Sequence, residues 1–271
     1  WLRLLSGYYT HFGLDPSTLP AGAARRPFDA DAAALLEAQA TPPAVVSFHF
    51  GLPEPALLER VHRLGARVFG SATTVDEGLW LQDQGADAVI AQGIEAGGHR
   101  GIFLGEDLAS QRPMLELVEA LAGRLRVPLI AAGGIASAAQ VRAALDRGAI
   151  AAQIGTAYLL CPEALTSALH RAALAEWVAA RRAGSNEDRT AVTNLFTGRP
   201  ARGIVNRLIR DLGPLNPLAP AFPLAAQAIG PLRARAESEG SSAFSPLWSG
   251  TDPSGCREVA AGELTRALAG R

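Results

Sequence analysis

Short, nearly continuous apolar runs recur along the chain, and three of them are entered in the same way. A helix-like stretch ends in Gly, Ala follows, and the run begins: Leu64-Gly65-Ala66-Arg67-Val68-Phe69, Gln84-Gly85-Ala86-Asp87-Ala88-Val89-Ile90 and Arg147-Gly148-Ala149-Ile150-Ala151-Ala152. Glycine just past a helix permits the left-handed conformation that turns the chain back. Continuous runs suit parallel strands covered on both faces better than half-exposed ones, which would alternate. Two further runs, Ala44-Val45-Val46-Ser47-Phe48-His49-Phe50 and Val127-Pro128-Leu129-Ile130-Ala131-Ala132, make five. Helices fit between them. Pro53 and Pro55 stand near the start of a Leu57, Leu58, Val61, Leu64 stripe, where proline is tolerated. Thr74 with Glu77 and Ser137 with Gln140 have capping-box spacing. Residues 29–39 read as a further helix and 16–27 as a loop.

Strand and helix in alternation predict a parallel α/β fold, with right-handed crossovers placing every strand-to-helix loop at one end of the sheet. Five strands fall short of a closed (β/α)₈ TIM barrel; an open doubly wound sheet is the structural alternative. The expectation is a (β/α)₈ barrel whose first three strands lie upstream of Trp1. The chain has no initiator Met and no secretory leader pattern, and residues before Ala44 supply no such strands. After Cys161 the texture changes. Residues 162–178 read as a helix, 181–188 as a polar break, and 197–248 as a Pro- and Gly-rich stretch with helices near 204–212 and 224–237. This gives an expected division into a partial barrel, 1–183, and an appended C-terminal helical layer, 184–271, covering the barrel mouth.

Composition narrows the function classes. Hydrophobic residues are 48% and charged residues 19% of 271, enough for a core and unlike a disordered chain. A formal net charge of −1, with 25 dispersed basic residues, gives no electrostatic reason to expect nucleic acid or an anionic membrane as partner. No apolar run reaches the ~18 residues of a membrane span. The strongest apolar stretch, 149–161, is interrupted by Gln153, Gly155 and Thr156, and reads as a buried strand running into a site. Two cysteines, Cys161 and Cys256, make no disulfide framework and fit a reducing cytoplasm.

Barrel chemistry collects at the C-terminal ends of strands. After Ile90 comes Ala91-Gln92-Gly93-Ile94-Glu95-Ala96-Gly97-Gly98-His99-Arg100-Gly101; after Ile130, Ala131-Ala132-Gly133-Gly134-Ile135; and the fifth run ends Gln153-Ile154-Gly155-Thr156-Ala157. Gly133-Gly134 lets backbone N–H groups approach an anion with no Cβ in the way, and Gly155-Thr156 adds another N–H and a hydroxyl. One Gly-Gly pair is as often a tight turn; two such loops on consecutive strand ends favour a phosphate. His99 stands alone in its glycine-rich loop. The other histidines (His11, His49, His62, His170) show no ligand spacing, so no metal site is expected. His62 and His170 fall in helices as surface or packing residues. His49 ends the first run, on the barrel face of His99, and reads as a buried histidine or a site residue.

At these residues the chain resembles a known family. Gln92 to Gly101, with Ala132-Gly133-Gly134-Ile135 and Gln153-Ile154-Gly155-Thr156-Ala157-Tyr158-Leu159, resembles the nitronate monooxygenases, formerly called 2-nitropropane dioxygenases. Val46-Ser47-Phe48-His49-Phe50-Gly51 and Phe196-Thr197-Gly198-Arg199-Pro200-Ala201-Arg202-Gly203-Ile204-Val205-Asn206 are similar to class I members in particular. The resemblance covers nearly the whole chain, and its specificity lies in the combination. It implies a TIM barrel with non-covalent FMN that oxidises alkyl nitronates, such as propionate 3-nitronate, with O₂ to a carbonyl compound and nitrite. It implies His99 as the catalytic residue, His49 as a second active-site histidine, and Gln92, Gly97 and Gly98 beside the flavin. Gly133, Gly134, Gln153, Ile154, Gly155 and Thr156 would hold the phosphate end. The partners expected are the nitronate, O₂ and a second copy of the chain. The family's opening strand with its Met-Ala flavin-binding turn, and the two strands after it, have no counterpart here. A flavin-dependent enoyl-acyl-carrier-protein reductase shares the barrel, the Glu-Ala-Gly-Gly-His-type loop and FMN, but would need a nicotinamide cofactor; the His49 run and the 199–206 segment argue against it. A third reading is a catalytically silent phosphate-binding barrel fragment.

Overall fold

A computed structural model of the chain describes residues 1–19 and 27–271. Among the described residues are eight strands: β1 (Val45–Phe48), β2 (Arg67–Ala72), β3 (Ala88–Gln92), β4 (Gly98–His99), β5 (Leu129–Ala132), β6 (Ala151–Gln153), β7 (Thr190–Thr193) and β8 (Ala201–Ile204). Of the loop expected at 16–27, Pro16–Thr18 forms a 3-10 turn, with the Asp15 carboxylate accepting from Ser17 N; residues 20–26 lie outside the described residues. Cα packing resolves two compact units. One, the sheet unit, is Arg26–Ala96, Gly101–Ile154 and Thr265–Arg271; the other, the hairpin unit, is Trp1–Arg25, Gly97–Arg100 and Gly155–Leu264. The division between these units runs through several points of the chain.

The sheet unit carries the five anticipated strands as one parallel sheet in the order β1-β2-β3-β5-β6. The Gly-Ala steps do what their position requires: Gly65, Gly85 and Gly148 sit at φ 79°, 98° and 103°, turning the chain from helix into strand. The helices between the strands start at the expected caps. Thr74 Oγ1 accepts from Glu77 N at 3.2 Å to open Val75–Asp83, and Ser137 Oγ accepts from Gln140 N at 3.3 Å to open Ala138–Asp146. Every residue of the central strand β3 is buried, as its continuous apolar run implies. The main core forms where Leu81 of Val75–Asp83 and Leu117, Val118 and Leu121 of helix Met114–Ala122 pack on Ala72, Val89, Ala91, Leu129 and Ala131. A second cluster seats Leu58 and Val61 of helix Pro55–Arg63 on Val68, with Val46 and Phe48 at its border.

The hairpin unit contains a three-stranded antiparallel sheet, β4-β8-β7. The helix expected from residue 204 begins only at Arg207. Residues 201–204 are drawn into β8, and the Asn206 side chain caps the helix by accepting from Ile209 N. Likewise the helix expected at 162–178 runs Ala168–Arg182, because Ser167 supplies its cap. A helix at Leu2–Phe12 packs Leu5 and Tyr9 against Ala228, Ile229 and Leu232 of helix Ala225–Ser238, and Tyr9 Oη donates to Ala228 O at 2.6 Å. No helix among the described residues is long and apolar enough to cross a membrane.

Candidate functional site

Parallel strands in register bring their C-terminal ends to one level, and the sheet unit does this with three of the residues singled out by sequence. Gln92 of β3 pairs with Ala132 of β5, and Ala132 with Gln153 of β6. Gln92, Gly133-Gly134 and Gln153-Ile154 therefore follow one another across the strand ends. His49 leaves β1 on the same side. Gly101 N donates to Gln92 Oε1 at 2.8 Å, and a Cβ built on Gly101 would stand 3.0 Å from His49 Cε1 and 3.4 Å from Gln92 Oε1. One glycine thus gathers His49 and Gln92, and a side chain there would drive them apart. The His49 ring lies against Phe50, centroids 4.5 Å apart. Phe50 itself sits at φ 75°, followed by Gly51 at 85°. A bulky residue in the left-handed region is uncommon, and such strain gathers at functional sites.

The glycine pair has a structural duty as well as a candidate chemical one. Gly133 and Gly134 have φ 116° and 67°. A Cβ on Gly133 would come within 2.9 Å of Ala96 N, and one on Gly134 within 3.1 Å of Glu95 Cβ. The 93–96 loop that crowds them is tied down: Gly93 N donates to Ala132 O at 2.8 Å, and Met114 N donates to the Glu95 carboxylate, 2.9 Å from one oxygen and 3.2 Å from the other. Glu95 therefore serves the start of helix Met114–Ala122, where an anion is favoured.

In the hairpin unit, β4 fixes the backbone of the histidine loop: Gly98 pairs with Arg202, His99 with Ala201, and Arg100 N donates to Pro200 O at 2.8 Å. Gly98 takes φ 75°. A Cβ on Gly97 would meet Gly250 N and Ser249 C at 2.5 Å. The half-buried His99 ring has Phe222 edge-on and Trp248 tilted against it, each with centroids 5.5 Å away. Its Nε2 lies 2.9 Å from Thr197 Oγ1.

The same unit holds Gly155 and Thr156 at the head of the 3-10 turn Thr156–Leu160. Thr156 Oγ1 accepts from Gly250 N at 2.8 Å, and Cys256 Sγ donates to Thr156 O at 3.1 Å. Burial, then Asp252 and Cys161, pushes the Cys256 thiol up to about 12, so it stays a protonated donor. Gly155 differs from Gly97, Gly98, Gly133 and Gly134: it is exposed, its φ is −110°, and a Cβ there would meet nothing within 4 Å. Neither backbone angle nor crowding requires a glycine at this position. Exposed strand-end backbone, a glycine with open space above it and a neighbouring hydroxyl are a donor set suited to a phosphate.

Residues the sequence reading passed over or left without a role include Thr197, Phe222, Trp248 and Ser249-Gly250. The 247–250 segment touches Gly97, His99 and Thr156, and bridges to β8 through Gly203 and Trp248. It has no periodic pattern to mark it; the isolated Trp248 in a Gly- and Ser-rich stretch was its one signal.

A family model described as nitronate monooxygenase matches residues 23–270. A nitronate monooxygenase from Pseudomonas aeruginosa is 40% identical over 265 residues, spanning 97% of this chain and 69% of that protein. Among solved structures, a nitroalkane oxidase from Streptomyces ansochromogenes superposes with a TM-score of 0.85 at 37% identity, covering 99% of this chain and 74% of that one. A FabK variant from Thermotoga maritima superposes at 0.66 with 25% identity, over 90% of this chain and 70% of that one.

Proposed function

The chain belongs to the nitronate monooxygenase family, and from that premise we propose that it oxidises alkyl nitronates, propionate 3-nitronate among them, with O₂ to a carbonyl compound and nitrite, using non-covalent FMN. Bound FMN would supply the electron acceptor. Gln92, Gly97 and Gly98 would lie along its ring system, and Gly133, Gly134, Gln153, Ile154, Gly155 and Thr156 along its phosphate end. The observation that carries the reading is the setting of His99: a lone imidazole on a loop pinned by strand pairing, walled by two aromatic rings and bonded to a hydroxyl.

A nitronate is an anion with its charge mainly on the nitro oxygens, so the site needs a positive or hydrogen-bonding group beside them and needs no metal. An imidazole supplies either, because its charge changes within the physiological range. As imidazolium, His99 holds the nitronate. As neutral base, it takes the α-proton of a nitroalkane. His49, gathered with Gln92, is the second histidine of the same reading. Cys161 and Cys256 are both free thiols, in keeping with a reducing cytoplasmic setting.

The test is His99→Asn in the flavin-loaded enzyme. It should keep FMN, lose essentially all turnover of neutral nitroalkanes if wild type has any, and lose less on preformed propionate 3-nitronate, where the proton is already gone. Full activity of His99→Asn on both substrates refutes the assignment. NAD(P)H consumption without nitrite release would instead identify a reductase.

A further inference from the structure

We propose that Thr197 is the positioning residue of His99, a role that rests on His99 being catalytic. Two aromatic walls restrict where an imidazole can lie, but neither tells one ring nitrogen from the other. Thr197 Oγ1, 2.9 Å from His99 Nε2, does. The hydroxyl is itself aimed. It lies 3.3 Å from Arg199 N, from which it accepts, and 3.3 Å from Arg199 O, to which it donates. With its proton on the Arg199 carbonyl, the hydroxyl can only accept from His99, which places a proton on Nε2.

The turn carrying Thr197 is built to hold still. Gly198 N donates to Asn194 O at 2.8 Å, and Asn194 is clamped to Asn216 by two bonds, Asn194 Nδ2 to Asn216 O at 3.0 Å and Asn216 N to Asn194 Oδ1 at 2.9 Å. Gly198 has φ 86°, and a Cβ there would run into Pro220 O and Phe222 N. The turn therefore packs closely on the segment that presents Phe222 to His99. Beyond the turn the chain enters β8, where Ala201 pairs with His99 itself. Hydroxyl, aromatic wall and histidine backbone are thus fixed to one another within a single unit, and this is how a ring orientation is set to the tolerance catalysis needs.

The experiment is a double-mutant cycle in the flavin-loaded enzyme, read as kcat/KM for propionate 3-nitronate together with FMN content and melting temperature. Thr197→Val keeps the shape and removes the hydroxyl, and should lower kcat/KM about tenfold, as small misplacements of a catalytic group do. Thr197→Ser restores the hydroxyl and should stay within about threefold of wild type. In a His99→Asn background Thr197→Val should change the residual rate by less than about twofold, because a residue that acts through His99 has nothing left to act on. Should Thr197→Val lose its flavin, Thr197→Ala is read against Thr197→Ser in the same cycle. Equal losses in Thr197→Val and Thr197→Ser, or a Thr197→Val effect that persists undiminished without His99, overturn the proposal. An active Thr197→Val beside an inactive His99→Asn overturns it while leaving His99 in place. Full activity of His99→Asn removes the premise instead.

Discussion

Gly155 offers the cleanest separation of ligand binding from folding. At Gly134 the two are entangled. Its φ of 67° costs a non-glycine residue about 1–2 kcal/mol before the 3.1 Å approach to Glu95 Cβ is counted. At Gly155, φ is −110° and the space above the α-carbon is open. Gly155→Ala should leave the flavin-free enzyme within about 1 kcal/mol of wild type, with part of any gain arising in the less flexible unfolded chain. Gly155→Val adds enough bulk to hold a phosphate off the backbone. Losing one charge-assisted bond of about 1.5–3 kcal/mol weakens FMN binding roughly ten- to a hundredfold. Flavin fluorescence quenching on titration into stripped enzyme gives the affinity, and thermal melting of the same preparation gives the stability. The expected pattern is opposite at the two sites: Gly155→Val loses affinity with its stability intact, and Gly134→Val loses stability first. Wild-type FMN affinity in Gly155→Val would move the phosphate elsewhere and return the glycine to an accident of the turn.

Two predictions concern what holds the loops in place. Glu77 is buried and accepts from Thr73 N (2.7 Å), Thr73 Oγ1 (2.8 Å), Phe103 N (2.6 Å) and Leu104 N (3.2 Å), so Glu77→Ala strands four donors and should cost about 3–5 kcal/mol in urea denaturation; a loss under about 1 kcal/mol would mean that water replaces the carboxylate. Desolvation alone would push the Asp87 carboxyl up, but the Val68 N–H, Arg67 and His62 outweigh it and hold it below the usual carboxylate range. A lowered folded-state value gives stability that is present above the unfolded value of about 4 and is lost as pH falls through the folded one. The melting-temperature gap between wild type and Asp87→Asn should therefore be widest near neutrality and close on acidification; a gap independent of pH would contradict the assignment.

The parallel sheet was legible because each of its elements announces itself locally. A helix that ends in Gly-Ala and a strand that is apolar throughout need no knowledge of the rest of the chain, and the five expected runs are the five strands of the parallel sheet. The Leu2–Phe12 helix is harder to read: its buried Leu5 and Tyr9 and the adjoining Tyr8 and Phe12 have helical spacing, but no side-chain cap marks its start. The β7–β8 hairpin carries no tight-turn signal; its connection is the long 194–200 turn, whose conformation depends on Asn216 and Pro220 far along the chain.

His99 is specified twice, and only one specification is visible in the sequence. Locally, glycines at 97 and 98 after a buried strand mark a loop that can bring an imidazole to a strand end, and this identified the residue. The partner that orients the ring is 98 positions away, reached only through the register that sets Gly98 opposite Arg202 and His99 opposite Ala201. Slipping that register by one residue would send the His99 side chain to the other face of its ladder. The loop glycines then read differently from their first impression. Gly97 is required by Gly250, Gly98 by its backbone angle, Gly133 and Gly134 by the 95–96 loop, and only Gly155 lacks such a reason. A glycine-rich motif is therefore strong grounds for a precisely folded loop and weaker grounds for a ligand at each glycine, and the ligand is best sought where the fold alone would have accepted a side chain.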